Sequence, residues 1–527
     1  MDWSGISIPP MRLETRFGDR VVPAFSERPH NIWQMVEDAA ASNPGGEALV
    51  AGATRLSWAE TADRAARLAA GFARLGLKRG DRLALLLGNR IEIVLAMFAA
   101  SRLGLIAVVL STRQQKPEIA YVLADSGAAA MIHESDLADR LPDATEAPAL
   151  AHRIAVDSED FQALGADAPT DGPTTVGEED TALLLYTSGT TGRPKGAMLS
   201  HCNVVHSATI FVACMALTRA DRSIAAVPLS HVTGAIANVM TMARCAGALI
   251  IVPEFKAADY LAVAARERAT QTVMVPAMYN LCLLQANFDS YDLSAWRIGG
   301  YGGAPMPVAT IERLARKLPG LQLVNAYGAT ETTSPSTIMP AQFTASHSDS
   351  VGLACPGATI VVMDEYGREV PHGAVGELWI HGSSVIKGYW NNARATAESF
   401  TGGFWHSGDL GSIDEHGFVR VFDRKKDMIN RGGYKIYSAE VESVLASHAD
   451  VVESAIIARP CPVLGERVHA VVVTRNPELE PFELRRLCAA QLADYKVPET
   501  IDIITEPLPR NANGKVLKKL LGEQLAG

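Results

Sequence analysis

The sequence predicts an α/β protein: a large, multi-layer N-terminal domain that ends in a β-rich subdomain, then a small α+β C-terminal domain. Three observations carry this. The chain has 527 residues, several times the ~100–150 of a typical domain, so more than one core is expected. Short apolar runs alternate with helix-length amphipathic stretches from residue 31 onward, the pattern of a parallel sheet covered on both faces. From residue 351 short strands and Gly-rich turns take over, and after residue 427 helix and strand alternate again.

In order along the chain, residues 31–75 read as amphipathic helices flanking a short strand at Ala48–Val50. RLALLLGNR (82–90) reads as a strand, followed by a helix from Ile91 to about Leu103. AVVLS (107–111) and AAAMIHE (128–134) continue the alternation. The Ala-, Asp-, Pro- and Thr-rich stretch 145–180 reads as a connection. TALLLYTSG (181–189) is a buried strand running into a polar loop, and a helix is expected to begin near Ser200, capped by Ser200 or Asn203. Strands are expected at 223–227, 247–252, 271–275, 296–300 and 321–326, then within GATIVVMDEYGREV and GELWIHG. The charged run Asp423–Asp427 is the candidate hinge, dividing the chain into 1–423, a 424–427 hinge and 428–527. The last part holds AEVESVLASH, VVESAIIARP, VHAVVVT, FELRRLCAAQL and ETIDIIT, enough for a small domain.

Composition excludes several classes. A net charge of −10 argues against nonspecific binding to a nucleic-acid backbone, so no nucleic-acid partner is expected. The seven cysteines form no C-x-x-C pair and are expected as buried thiols, not a disulfide or zinc framework. No basic segment followed by an apolar stretch opens the sequence. The most apolar windows, 91–111 and 235–252, are interrupted by Arg102 and Arg244, short of the roughly 18 clean residues of a membrane span. A cytoplasmic protein with no integral membrane segment is expected.

The loop YTSGTTGRPKG (186–196) carries the first chemical signal. Thr187, Ser188, Thr190 and Thr191 supply hydroxyls, and Gly189 and Gly192 allow close backbone approach to phosphate oxygens. It is not a Walker A loop: the glycines and Lys195 fall at the wrong intervals, and Pro194 precedes the lysine without an N–H to donate. A flexible linker is the competing reading, and the apolar LLLY strand before it argues against that.

YTSGTTGRPKG resembles the signature loop of the adenylate-forming superfamily: acyl- and aryl-CoA synthetases, carrier-protein adenylation domains and luciferases. Further motifs of that family follow in order: VPLSHVTG (227–234), YGGAP (301–305), NAYGATET (325–332), WHSGDL (405–410), FDRKKD (422–427), GGYKIYSAEVE (432–442) and LPRNANGKVLK (508–518). The resemblance implies a two-step reaction. A carboxylate attacks the α-phosphate of ATP to give an acyl-adenylate and pyrophosphate, and a thiol, usually that of CoA, displaces AMP. It also implies ATP, Mg²⁺ and CoA as cofactors and a small C-terminal domain that is mobile.

Carried over residue by residue, the resemblance makes Glu331 the metal residue and places Thr187 and Thr330 at the phosphates. Gly302, Gly303, Ala304 and Pro305 become the adenine-side strip, and Asn325, Ala326, Tyr327 and Gly328 the facing wall. Asp409 matches the aspartate on the ribose hydroxyls, a carboxylate accepting two hydrogen bonds at once, and Arg424 its partner. His231 matches the histidine beside the incoming carboxylate, and Lys515 the lysine that bridges carboxylate and α-phosphate. Lys426 matches the hinge, and Gly432 and Gly433 the strip facing the CoA arm. Alone, GGAP would be an ordinary turn, His231 a structural histidine and Lys515 a surface lysine. Trp405 reads as core. The chain departs from the family at Ser230, where an aromatic residue is common, and at Ser438, where proline is common.

The acyl pocket is expected near His231, Val232, Thr233, Ala235 and Ile236, with Tyr301, Gly302, Ala326, Gly328 and Thr332–Ser336. None of these is a lysine, arginine or acid, so a second carboxylate would be buried unpaired. An uncharged aryl or medium-chain acid is expected. No carrier-protein domain follows Gly527, which favours free CoA. The alternatives are a standalone enzyme loading a carrier-protein thiol and a nucleotide-binding regulator without turnover. A homodimer is allowed for.

Overall fold

The computed structural model describes residues 3, 5–168, 172–187, 193–304, 306–510 and 516–524. Its described strands form three large sheets and a small hairpin, Met11–Arg16 with Arg20–Phe25.

The first sheet places Arg82–Leu86, Ile106–Leu110, Ala130–His133, His152–Ala155 and Thr181–Thr187 in parallel, with Lys195–Ser200 antiparallel at the edge. Its central strands are continuous runs of Leu, Val, Ile and Ala because both faces are covered. The helix Ile91–Leu103 is buried along most of its length, which explains its near-uniform apolar sequence. Gly104, at φ 74°, ends it in the left-handed conformation that glycine adopts without strain. The apolar window 91–111 is therefore this helix plus the strand Ile106–Leu110. No described helix is long and apolar enough to cross a membrane.

The second sheet carries Arg222–Ala225, Ala248–Ile251, Gln271–Met274, Ile298–Tyr301 and Gln322–Tyr327 in parallel. Thr337–Ile338 and Gly352–Ala354 then continue it, antiparallel, to Phe418–Arg424, Phe404–Ile413, Gly376–Gly382 and Ala358–Met363. The β-rich part is thus hydrogen-bonded to the parallel sheet. The window 235–252 becomes a π-helix, Thr233–Met240, a short helix, Thr241–Cys245, and the strand Ala248–Ile251. All seven cysteines are free, and all but Cys245 are buried.

The third sheet consists of Ile429–Arg431, Tyr434–Ile436, Val451–Cys461, Gly465–Thr474 and Thr500–Ile504. With the helices Ser438–Leu445 and Pro481–Gln491 it encloses its own apolar cluster around Ile436, Val441, Ile456, Val468 and Leu484. The chain enters it through the end of the strand Phe418–Arg424 and a turn at 425–427. The Asp423 carboxylate accepts from the N–H of Ser438, at the start of the helix Ser438–Leu445. Phe422 stacks on Tyr437 with ring centres 5.4 Å apart. Lys518 donates to the Ser438 hydroxyl and pairs with Glu442 at 2.8 Å.

One expectation needs correction. The stretch 145–180 is more than a connection: His152–Ala155 is the edge strand of the first sheet, and Glu159–Leu164 is a helix. Only Ile154 of that strand is buried, too little for a periodicity to read. Ahead of the helix expected near Ser200 lies one element that the sequence does not mark. This is the strand Lys195–Ser200, pairing back on Thr181–Thr187. The helix His201–Cys214 then begins with Ser200 and Asn203 capping each other's N–H groups at 3.1 and 3.0 Å.

Candidate active site

The antiparallel strands Thr181–Thr187 and Lys195–Ser200 flank the glycine-rich stretch in sequence and bring Thr187 opposite Lys195. Ser188, Gly189, Thr190, Thr191 and Gly192 lie outside the described residues, as do Pro305 and Lys515. Both ends of the loop are held. The Tyr121 hydroxyl donates to the Pro194 carbonyl at 3.0 Å, the Arg193 guanidinium lies over the Tyr121 ring, and the Tyr186 hydroxyl donates to Asp125 at 2.6 Å.

At the loop's entrance the Thr187 hydroxyl donates to Glu331 Oε1 at 3.2 Å. The Tyr389 hydroxyl donates to the same oxygen at 3.0 Å. Glu331 is buried, and its carbonyl accepts from the Ile386 N–H at 3.0 Å. Thr330 beside it is at the edge of burial. One carboxylate with hydroxyl neighbours is a hard oxygen set, and it fits Mg²⁺, which takes one or two protein carboxylates and fills the rest of its shell with water and phosphate oxygens. Among the described residues no group of three or more His, Cys, Asp and Glu could hold a metal ion, so they form no all-protein cage.

A second cluster sits on adjacent strands. Asp409 and Arg424 are cross-strand partners, and Arg424 Nε meets Asp409 Oδ1 at 2.7 Å. The Tyr327 hydroxyl donates to Asp409 Oδ2 at 2.6 Å. Burial works against the Arg424 charge, yet the Asp409 carboxylate beside it holds the guanidinium above its ordinary value. Burial and the Asp409 charge together push the Tyr327 phenol well up, so it remains a donor. A carboxylate has about four lone-pair sites, and these two partners leave half of them open. Trp405 is packed in the core of this β-rich part.

The third cluster is the 228–233 turn. Asn89 holds it: its Nδ2 donates to the carbonyls of Val227 and Val252, both at 3.0 Å, and its Oδ1 accepts from the Leu229 N–H at 2.8 Å. Gly234 has no room for a side chain, since a Cβ would stand 2.2 Å from the Pro228 carbonyl oxygen. The His231 Nδ1 lies 3.4 Å from the Thr233 N–H and 3.3 Å from the Thr233 hydroxyl, and it accepts from the N–H in the tautomer that carries its proton on Nε2. Burial pushes the His231 imidazole down to about 4, so it is neutral at pH 7. His231 and Val232 share a cavity with Ser230, Tyr186, Gln114 and Thr330. The cavity joins the glycine-rich hairpin at Tyr186, Thr330 and the histidine turn, and among the described residues no lysine, arginine, aspartate or glutamate lines it.

The remaining residues are placed as follows. Ala235 and Ile236 are fully buried in the main apolar cluster, and Tyr301 is buried in a second one. The Thr332 hydroxyl is engaged with Ala329 and Ser336. Gly302 lies so close to Ala326 that a Cβ would stand 2.3 Å from the Ala326 carbonyl oxygen, while Gly303 and Ala304 are exposed. Asn325 turns its amide toward the Ser350 carbonyl, 3.5 Å away. Gly432 and Gly433, at φ 60° and 92°, form the two-residue turn between Ile429–Arg431 and Tyr434–Ile436, which requires positive φ at both positions. Lys426 is exposed on the turn after Arg424. Sequence reasoning missed Tyr389, Asn89 and Gln114. Each stands far in the chain from the residue it serves, and no local pattern marks it.

A family model described as AMP-binding enzyme matches residues 36–390, and one described as AMP-binding enzyme C-terminal domain matches 440–515. The chain is 33 % identical over 503 residues to a long-chain-fatty-acid–CoA ligase of Mycobacterium tuberculosis, covering 94 % of this chain and 98 % of that one. It is 35 % identical over 477 residues to a feruloyl-CoA synthase of an Amycolatopsis species, covering 90 % and 95 %. Among solved structures, o-succinylbenzoate coenzyme A synthetase from Bacillus subtilis, in complex with ATP and magnesium ion, is similar with a TM-score of 0.82 at 31 % identity, covering 92 % of this chain and 98 % of that one. ATP-bound MatB from Rhodopseudomonas palustris gives a TM-score of 0.87 at 31 % identity, with 94 % and 98 % covered.

Proposed function

The chain belongs to the AMP-binding enzyme family, the adenylate-forming acid–thiol ligases, and on that premise we propose that it is an ATP-dependent acyl-CoA ligase for an uncharged aryl or medium-chain acid. The carboxylate oxygen of the acid attacks the α-phosphorus of ATP and pyrophosphate leaves. The CoA sulfur then attacks the acyl carbon and AMP leaves. Chemistry of this kind needs alignment and charge neutralisation more than a protein nucleophile.

The observation that carries the reading is the convergence of Thr187, Glu331 and His231, distant in sequence, on one junction, with the Asp409–Arg424–Tyr327 cluster on the adjoining sheet. In this reading the open lone pairs of Asp409 receive the two ribose hydroxyls, and Arg424 lies beside the ribose and phosphate. Glu331 would hold Mg²⁺, which when bound neutralises phosphate charge. Neutral His231 meets the acid's carboxylate as a hydrogen-bond donor through Nε2, not as a counter-ion. Lys515 bridges carboxylate and α-phosphate during adenylation. Residues 1–423 and 428–527 act as two bodies that turn about Lys426 between the half-reactions, the second presenting the Gly432–Gly433 turn to CoA.

The cavity beside His231 supports an uncharged acyl body, because its described lining offers no lysine or arginine to a second carboxylate. The relatives' named acids range from fatty to aromatic, so relatedness alone leaves the acid open. A CoA-dependent AMP-release screen across aryl, straight-chain and dicarboxylic acids tests the reading. Turnover is expected with the first two groups and little with the third. AMP release that needs a carrier protein in place of CoA would favour the carrier-loading alternative. Absence of pyrophosphate release with every acid would favour a binding protein.

A further inference from the structure

We infer that Tyr389 is a positioning residue: it orients Glu331 so that one carboxylate oxygen is left for the metal ion. The inference rests on the reading of Glu331 as the metal-holding carboxylate. Tyr389 and Thr187 both donate to Oε1, at 3.0 and 3.2 Å. Oε2 takes no hydrogen bond from the described residues. Two donors on one oxygen fix the rotation of the carboxyl plane, and they direct the charge of the other oxygen to a hard cation.

Tyr389 is itself held in place. Its N–H donates to the Thr396 hydroxyl at 3.0 Å, and its backbone bridges to Ala197. Lys195 Nζ stands over its ring, 5.1 Å from the centre, and Phe400 packs against it at 6.2 Å. Tyr389 thus links the two sides of the glycine-rich loop, Thr187 and Lys195, to the carboxylate. The ring is anchored by Lys195 and Phe400 independently of the hydroxyl, so Tyr389→Phe keeps those contacts while it removes the donor to Glu331 and the hydroxyl's links to Trp405 and Ser399.

The test compares Tyr389→Phe with wild type and with Glu331→Gln, in the full-length enzyme. Two readouts are used: the Mg²⁺ midpoint of acid-dependent pyrophosphate exchange at saturating ATP, and Mn²⁺ binding in the presence of a nonhydrolysable ATP analogue, from the paramagnetic resonance of free Mn²⁺. For Tyr389→Phe both midpoints should rise roughly tenfold, the cost typical of losing an outer partner of a metal ligand. Exchange at saturating Mg²⁺ should return close to wild type, and metal-free binding of the analogue should not change. A merely structural role would lower activity at every Mg²⁺ concentration and leave the midpoints in place, which overturns the inference. If Glu331→Gln shifts both midpoints and Tyr389→Phe shifts neither, the positioning role fails and the metal reading stands. If Glu331→Gln shifts neither, both fail.

Discussion

Asp409→Ala separates ribose binding from scaffolding at one residue. In the protein alone the Asp409 carboxylate already accepts from Tyr327 at 2.6 Å and Arg424 at 2.7 Å. Its removal orphans a buried phenol, at about 1–3 kcal/mol. The unpaired Arg424 adds less than a fully buried cation would, because its side chain is 36 % exposed. A stability loss of about 2–3 kcal/mol is therefore expected with no ligand present. Nucleotide recognition should lose, in addition, two hydrogen bonds from ribose hydroxyls to a charged acceptor. At about 1.5 kcal/mol each, the low end for charged acceptors, that is roughly 100-fold in kcat/KM for ATP. The assay is pyrophosphate exchange with ATP, 2′-deoxy-ATP and 3′-deoxy-ATP, alongside urea midpoints. Wild type should discriminate against each deoxynucleotide by roughly tenfold, and Asp409→Ala should erase most of that discrimination. Asp409→Asn, which can still accept from Tyr327, should recover part of the stability. Equal losses on all three nucleotides would refute the ribose assignment and leave Asp409 as a structural partner of Arg424 and Tyr327.

Three further outcomes are expected. Lys515→Ala should lose acyl-adenylate formation yet still convert preformed acyl-adenylate and CoA to product, while Lys426→Pro, by fixing φ near about −65° at the hinge, should do the reverse; equal slowing of both half-reactions by Lys515→Ala would end the two-pose account. Burial lowers the imidazoles of His201 and His206 to about 4, below the ~6.5 of an unfolded histidine. Their contribution to stability is present above about pH 6.5 and lost as pH falls toward 4, at about 1.4 kcal/mol per pH unit for each. In urea unfolding between pH 6.5 and 5, His206→Gln should reduce that slope, and an unchanged slope would mean the histidine is not neutral in the fold. Ser438→Pro deletes the N–H that donates to Asp423, so it should lower the unfolding free energy by about 1–2 kcal/mol more than Ser438→Ala, read from urea unfolding; equal free energies would show that this bond contributes nothing.

What could be read from the sequence was local. The runs LALL and AVVL read as strands and were found covered on both faces, and the length and evenness of IEIVLAMFAASRL read as a helix, which proved to be buried. Ser200 marked its helix start because the capping residues are three apart. The glycine-rich loop and the motifs after it pointed to nucleotide chemistry because each is a short run of residue types suited to phosphate, ribose or metal. Alternation and spacing encode which face of an element is buried; they do not encode what it is buried against. Only the tertiary structure placed His152–Ala155 on the sheet edge and joined the β-rich strands to the parallel sheet. Only it brought Thr187 to Glu331 across 144 residues and Tyr389 to Glu331 across 58. It also gave Ser438, in sequence a bare departure from a family pattern, a role as the N–H that donates to Asp423 across the 425–427 turn. Such pairings depend on the crossing of distant chain segments, and a single hydrogen bond between them leaves no periodic mark on either.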